Sequence, residues 1–180
     1  CGVESPASSR AALAEDFDND GLIDLFVVAT DGCAFYRNAG GFRFEAVENE
    51  LMCGEAAVGA VAADLDADGD MDIAVLRRGL SEPVCIENTN GDDRNFVEVR
   101  LRGTSSGRAG IGAKVFAYES AHAGEADRLV GFREINPAKG FRRYAPPVGH
   151  FGLGPRDAVD IVVVFPAVRG REPVVVKERA

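Results

Sequence analysis

The chain has 180 residues, 46% of them apolar, which is enough for one large domain or two small ones with a real core. Its net charge of −9 argues against a nucleic-acid partner, because phosphate binding needs a basic surface. The longest apolar run, Ile161–Phe165, is far shorter than the roughly 18 residues that span a bilayer, so we expect no transmembrane segment.

The first half of the chain contains an internal repeat. AEDFDNDGLIDLFVV (14–28) recurs as AADLDADGDMDIAVL (62–76), 48 positions further along. Each copy is followed by a turn and a short strand that ends in Asn, within AFYRNAGG and VCIENTNG. We predict that each unit is a four-stranded antiparallel meander of the size of a propeller blade, and that the pair occupies residues 1–93.

Each copy carries an aspartate-rich loop between its first two predicted strands. Carboxylates at positions 1, 3, 5 and 9 of a DxDxDGxxD pattern converge when the chain curls around a cation, and position 7 offers its backbone carbonyl. The glycine after position 5 permits the sharp turn, and without a cation the carboxylates would repel one another. The sequence therefore predicts two bound calcium ions, one per loop. The predicted ligands are Asp16, Asp18, Asp20, Leu22 and Asp24 in the first loop, and Asp64, Asp66, Asp68, Asp70 and Asp72 in the second.

Other metal motifs fit these loops less well. An EF-hand requires a bidentate Glu at position 12, where this chain has Val27 and Val75, and the flanks are β-type runs and not helices. Zinc is disfavoured because neither loop contains His or Cys. A solvated acidic turn is the alternative to a metal site, and the repetition of the whole pattern favours the metal site.

The second half has a different pattern. From Asn95 onwards, alternating segments predict further strands separated by Gly-rich turns: NFVEVRLRG, IGAKVFAYE, DRLVGFREI, DIVVVFP and EPVVVKE. We predict that residues 94–180 form a second module, a β-sandwich or barrel, and that the whole chain is all-β. Two blades do not close a propeller, which needs about four to eight. Either further blades lie outside this chain, or the two repeats pack against the second module.

These motifs resemble two known families. The loops and their flanks, over roughly residues 10–92, resemble the FG-GAP (VCBS-type) repeat, which implies propeller-type blades with calcium bound between the first two strands of each. VEVRLRGTSSGRAGIGAKV (97–115), FGLG (151–154) and VDIVVVFP (159–166) resemble the ASPIC/UnbV domain. That family usually has Trp at the places where Phe96 and Phe165 stand here. The second resemblance implies an architecture more than an activity.

The chain has four cysteines, an even number. Together with calcium loops, this predicts an oxidising location, which means a secreted, periplasmic or cell-surface protein. In the predicted meanders all four cysteines gather at the end opposite the calcium loops, and the repeat favours the disulfides Cys1–Cys33 and Cys53–Cys85. Cys33–Cys53 is the rival pair, and four buried free thiols are the alternative to any disulfide.

Catalytic signals are weak in this sequence. We expect His122 to lie in a solvent-exposed loop and His150 at a strand edge, and no GxSxG elbow accompanies either histidine. We therefore expect no enzymatic activity. A basic cluster with two aromatic residues remains open as a solvated loop or as a contact for an anionic glycan. Its members are Lys139, Phe141, Arg142, Arg143 and Tyr144.

The sequence thus predicts an extracellular calcium-binding adhesion or scaffold module whose loops are rigidified by calcium. Its partner would be a protein or a glycan on a cell surface or in a matrix. The alternative hypothesis is a carbohydrate-binding module, either independent or accessory to an enzyme, with exposed aromatic side chains as its signature.

Overall fold

The computed structural model describes residues 2–4, 8–47, 53, 56–90, 94–104, 107–138, 145–166 and 175–179. Within these ranges the chain forms thirteen β-strands and a single 3-10 turn, Ala126–Arg128, but no α-helix. The predicted all-β fold is confirmed. No helix in the described part of the chain is long and apolar enough to cross a membrane. The described residues divide into two compact units.

The first unit contains two antiparallel sheets, one for each repeat. It comprises the described residues up to Asp18, those from Leu22 to Asn90, and Ala145. The first sheet is a four-stranded meander in the order β1 (Ser9–Glu15), β2 (Asp24–Ala29), β3 (Gly32–Asn38) and β4 (Phe44–Val47). The second sheet has the order β5 (Ala57–Ala63), β6 (Asp72–Arg77) and β7 (Val84–Ile86).

The two sheets of the first unit share one hydrophobic core. Successive side chains of a strand point to opposite faces, so Phe26 and Val28 of β2 face inward together, and so do Ile73 and Val75 of β6. Strand β5 contributes only small side chains to this core, and it packs against β1. Burying each large apolar side chain contributes about 1.5–3 kcal/mol, so this core is the main reason why the two repeats fold together.

The second unit contains a four-stranded sheet and a two-stranded sheet. It comprises Asn19–Gly21, the described residues from Arg94 to Ala138, and those from Pro146 to Arg179. The larger sheet has the order β10 (Leu129–Glu134), β9 (Lys114–Glu119), β12 (Val159–Val164) and β13 (Val175–Arg179). The smaller sheet pairs β11 (Val148–Gly154) with β8 (Asn95–Arg100).

The number of strands in the second repeat differs from the sequence-based expectation. The second repeat has three described strands in its sheet instead of the predicted four. The next strand in the chain, β8, pairs with β11 along its length, with Val97 opposite Phe151, and so belongs to the smaller sheet of the second unit.

The core of the second unit lies between its two sheets, as expected for a sandwich. Val115 of β9, Val163 of β12 and Phe151 of β11 belong to the same buried cluster. A Cβ on Gly131 would lie only 2.9 Å from the ring of Phe151, so a side chain at this position of β10 would force that buried ring to shift. His150 lies within β11, one strand of the two-stranded sheet, and its side chain is buried. Its Nε2 lies 2.8 Å from Oδ1 of Asn19.

The predicted disulfide pairing is wrong, and the rival pair is present. Cys33 bonds to Cys53, with a Cα–Cα distance of 6.0 Å, whereas Cys85 is a free, exposed thiol; Cys1 lies outside the described residues. Cys53 is fully buried in the core of the first unit, with Cys33 packed against that core. The side chain of Cys85 points out of β7. The two repeats therefore place corresponding cysteines in different surroundings, which repeat symmetry did not anticipate.

Candidate metal centre

Each Asp-rich loop joins the first two strands of its sheet, and the two loops curl in the same way. Position 4 of the loop has a left-handed backbone in both copies, with φ of 54° at Asn19 and 67° at Ala67. Position 6 is glycine in both copies, with φ of 94° at Gly21 and 97° at Gly69. Glycine adopts such values without steric cost, and Asn tolerates them. The repeated pattern of Asp and Gly therefore encodes a repeated loop conformation.

The curl brings three carboxylates together in each loop. One ligand oxygen from each of three side chains lies within 4.8 Å of the others in two clusters: Asp16, Asp18 and Asp24, and Asp64, Asp66 and Asp72. Oxygens that bind one calcium ion at about 2.3–2.6 Å can be up to about 5 Å apart, so each cluster fits a single ion. The donors are all hard carboxylate oxygens, which suit calcium or magnesium better than zinc or copper.

The remaining predicted ligands lie on the same loops but outside these two clusters. Position 5 is Asp20 in the first loop and Asp68 in the second. Position 7 is Leu22 in the first loop and Asp70 in the second, and its backbone carbonyl was the expected donor. Asp68 Oδ1 accepts a hydrogen bond from the backbone N–H of Asp70 at 2.9 Å. The structure thus brings together positions 1, 3 and 9, and the ligand role of positions 5 and 7 stays a prediction.

The aspartate at position 9 of the first loop is held by backbone groups on two sides. Asp24 Oδ1 accepts a hydrogen bond from the backbone N–H of Asn38 at 2.8 Å, and its Oδ2 accepts one from Phe17 at 3.2 Å. The side chain of Asp24 is fully buried. A carboxylate oxygen has two lone pairs, so each can accept an N–H and still face a cation. These bonds orient the carboxylate towards the loop without any ion.

The second loop repeats this arrangement. Asp72 Oδ1 accepts a hydrogen bond from the backbone N–H of Asn88 at 2.8 Å, and its Oδ2 accepts one from Leu65 at 2.9 Å. Asp64, at position 1, accepts hydrogen bonds from the N–H groups of Ala67 at 2.7 Å and Gly69 at 3.3 Å. The metal-ligand candidates at positions 1 and 9 are therefore also structural acceptors for the loop that carries them.

Two asparagines complete the loops, and sequence reasoning gave them no role. Asn38 Nδ2 donates to the carbonyl of Ile23 at 2.9 Å. Asn88 Nδ2 donates to the carbonyl of Met71 at 3.2 Å and to that of Phe17, in the first loop, at 2.6 Å. A signal for both was visible, because an Asn ends the third predicted strand in each copy. Its side-chain amide fastens the residue before the position-9 Asp.

The electrostatic surroundings of position 3 differ between the loops. In the first loop, Arg37 Nε lies 2.9 Å from Asp18 Oδ2. In the second loop the corresponding Asp66 is exposed. The pKa of Asp66 is raised above its ordinary value because neighbouring loop atoms partly desolvate it and because Asp68 and Asp72 repel its negative charge, while the backbone N–H of Asp68 lowers it. Sequence reasoning missed Arg37, since its proximity to Asp18 arises only when β3 pairs with β2.

The remaining candidates from sequence are the two histidines and the basic cluster of residues 139–144. His122 Nδ1 lies 3.2 Å from a carboxylate oxygen of Glu125 in a turn, and it is only partly exposed. His150 is buried beside Asn19, as described above. The basic and aromatic cluster of residues 139–144 lies outside the described residues, so the glycan contact proposed for it stays a prediction.

Comparisons with known proteins find a family match in each half of the chain. Residues 16–75 match the FG-GAP-like repeat family, and residues 103–175 match the family described as ASPIC and UnbV. The chain is 28% identical to cartilage acidic protein 1 of Mus musculus over 179 residues, covering 90% of the chain and 26% of that protein. It is 28% identical to the Homo sapiens protein of the same name over 178 residues, covering 89% and 25%. Identity to the Xenopus tropicalis protein is 29% over 175 residues, covering 89% and 26%.

The chain therefore spans about a quarter of the length of the curated relatives that it matches. No solved structure matches it significantly. The two resemblances predicted from the loop motifs and from the second-half strands are confirmed.

Proposed function

We propose that this chain, an FG-GAP-like repeat followed by an ASPIC and UnbV domain, is an extracellular calcium-binding module that serves adhesion or scaffolding and has no enzymatic activity. The observation that carries this proposal is the pair of three-carboxylate clusters, which recur at the same loop positions in two repeats. A chance acidic turn would not reproduce both the convergence of oxygens and the backbone bonds to position 9.

Calcium is the cation that these loops suit best. Calcium accepts six to eight oxygen ligands in flexible geometry, whereas magnesium demands a near-ideal octahedron. A loop with backbone carbonyls and water available beside three carboxylates can complete the larger and less regular shell. Extracellular calcium modules bind with dissociation constants of about 0.1–1 mM, which sites formed by a single loop can reach.

An extracellular location is supported by two features. The Cys33–Cys53 disulfide is of the kind that persists in oxidising compartments and is rare in the cytosol. The relatives carry the name cartilage acidic protein 1, and the word cartilage supports a matrix setting for this chain too. The partner would then be a protein or a glycan of a cell surface or matrix.

Calcium would act by fixing the loops that join the first two strands of each sheet. Asp16 and Asp24 are fully buried, so their negative charges gain strongly from a cation in the same cluster. The ion would cross-link the loop to the end of β3 through Asp24, and the second loop would follow the same scheme through Asp72. The result would be a rigid surface that a partner can bind without first ordering it.

The proposal is tested by thermal melting of the purified chain in calcium and in EDTA. Each site should add about 2.7 kcal/mol of stability when free calcium is about 100-fold above its dissociation constant. Asp18→Asn and Asp66→Asn should each remove part of the calcium-dependent rise, and the double variant should remove it. Asp127→Asn, a change of the same charge at an exposed residue outside the loops, is the control. An unchanged melting temperature, with no bound metal by elemental analysis, would overturn the proposal.

A second candidate function, carbohydrate binding, is favoured by an aromatic row in the second unit. Phe132 and Phe116 lie opposite each other on β10 and β9, with ring centroids 5.0 Å apart, and Phe116 stacks on Tyr118 at 6.3 Å. Val115 and Ala117 point to the core, so these rings lie on the outer face of the sheet. Flat apolar rings of this kind can pack against the C–H faces of sugars.

A glycan array separates the two functions. Carbohydrate binding predicts saturable binding that Phe132→Ala weakens and that Phe42→Ala, at an exposed aromatic residue of the first unit, leaves unchanged. An array without binding, or binding that both variants retain, removes this second candidate and leaves the calcium proposal intact.

A further inference from the structure

Arg37 gives the first Asp loop a positive charge of its own. This residue lies next to the end of β3, and its Nε is 2.9 Å from Oδ2 of Asp18. The Asp18 side chain is only 14% exposed, and that of Arg37 is 48% exposed, so the pair is partly shielded from water. One of the three carboxylates of the first cluster thus faces a cation that belongs to the protein.

The second repeat carries the opposite charge at the equivalent position. Asn38 and Asn88 are equivalent, because the backbone N–H of each donates to the position-9 Asp at 2.8 Å. The residue before Asn38 is Arg37, and the residue before Asn88 is Glu87, which is exposed. Among the described residues, no basic side chain forms an ion pair with Asp66, the counterpart of Asp18. The two loops share their conformation, but only in the first is an arginine seen to pair with the position-3 aspartate.

Two effects of Arg37 on a bound divalent ion oppose each other. A guanidinium that contacts a ligand carboxylate can orient it, and loss of such an outer contact typically costs about 10–100-fold in metal affinity. The same guanidinium is permanently charged, so it repels the ion and withdraws charge from the carboxylate. Orientation by Arg37 concerns only Asp18, one of the three carboxylates, since Asp24 is held by the backbone N–H groups of Phe17 and Asn38 without it. Electrostatic repulsion by the guanidinium, in contrast, acts on the divalent ion as a whole. The net charge around a calcium site is a main determinant of its affinity.

We propose that Arg37 weakens the calcium affinity of the first loop relative to that of the second, which has no such arginine at the equivalent position. This inference rests on the proposed function, since it concerns the affinity of the same two sites. It assigns Arg37 as a positioning and affinity-determining residue that contacts a ligand and does not itself bind the ion.

The test is calcium titration by calorimetry in proteins that retain one site. In an Asp66→Asn background only the first loop binds, and Arg37→Gln should tighten its affinity about tenfold, with a larger gain for Arg37→Glu. In an Asp18→Asn background only the second loop binds, and Arg37→Gln should leave its affinity unchanged. Arg100→Gln, which removes an arginine from an ion pair in the second unit, should change neither affinity.

A second measurement separates this role from a purely structural one. Without calcium, Arg37→Gln should melt at a slightly lower temperature than the parent, because the ion pair with Asp18 is lost. With calcium, the same variant should show a larger rise in melting temperature than the parent. A structural role alone would lower both melting temperatures in parallel.

The calcium titrations distinguish failure of this inference from failure of the proposed function. Weaker or unchanged calcium binding by Arg37→Gln, in a protein whose parent binds two ions, overturns this inference and leaves the proposed function standing. A parent chain that binds no calcium overturns the proposed function and this inference with it.

Discussion

Asp24 and Asn38 are joined by a 2.8 Å hydrogen bond from the backbone N–H of Asn38 to Oδ1 of Asp24, and Asp72 and Asn88 are joined by the same bond at the same distance. In each repeat the last aspartate of the loop is thereby fixed to the end of the third strand or just beyond it. The position-9 carboxylate has two roles in this arrangement. It closes the loop through backbone bonds, and it presents oxygen to the cluster.

The asparagine side chains should contribute measurably to stability. Asn38→Ala removes the bond to the Ile23 carbonyl and also the bond that Asn38 Oδ1 accepts from the N–H of Gly40 at 3.0 Å. We expect a loss of about 1–2 kcal/mol in the free energy of unfolding, because a partly buried carbonyl is left without its donor. Urea denaturation followed by circular dichroism measures it. The control Asn136→Ala, in an exposed turn, should cost less than about 0.5 kcal/mol. Equal losses in the two variants would contradict this role.

The second loop should become more stable when its strained position is relieved. Ala67 has a φ of 67°, where a side chain is disfavoured, and the first loop has Asn at this place. Ala67→Gly should raise the free energy of unfolding by about 1 kcal/mol, since an alanine held at positive φ costs at least that much. The same change at Ala46, exposed within β4, should lower stability by about 0.5–1 kcal/mol. A loss at both positions would mean that the left-handed conformation at Ala67 is wrong.

The cysteines should differ sharply in reactivity. Alkylation of the unreduced protein should label Cys85 and leave Cys33 and Cys53 unmodified, and peptide mapping should recover the last two as one linked peptide. The bond joins residues 20 positions apart, so Cys33→Ser with Cys53→Ser should cost about 3 kcal/mol by the chain-entropy estimate. Cys85→Ser is the matched control, and little change is expected at this exposed position. Recovery of a linked peptide that contains Cys85 would refute the pairing.

The part of the site that could be predicted from sequence is the part that local spacing determines. Asp16, Asp18 and Asp24 converge because a glycine follows position 5 and the loop is bounded by two strands of one hairpin. These features lie within about a dozen residues and occur twice, so the same inference could be made twice. The all-β fold was predictable for a similar reason, because alternation of apolar residues is a local property of each strand.

The parts that escaped prediction depend on contacts between distant segments. Cys33 meets Cys53 because the two repeats pack together in one core. Repeat symmetry alone treats the two repeats as separate. Arg37 reaches Asp18 only across paired strands. His150 is flanked by glycine and phenylalanine in a pattern that suits an edge as well as a core, and its burial in β11 depends on the sheet that covers it. No local pattern encodes which of these partners a side chain meets.

The central claim is that each loop holds one calcium ion, and crystals grown in calcium test it most directly. An anomalous difference map recorded at long wavelength locates bound calcium without assumptions about its ligands. The account predicts two peaks, one among the carboxylates of Asp16, Asp18 and Asp24 and one among those of Asp64, Asp66 and Asp72. Both peaks should disappear from crystals soaked in EDTA. Ordered loops without any peak at millimolar calcium, or calcium found only elsewhere on the chain, would contradict the account.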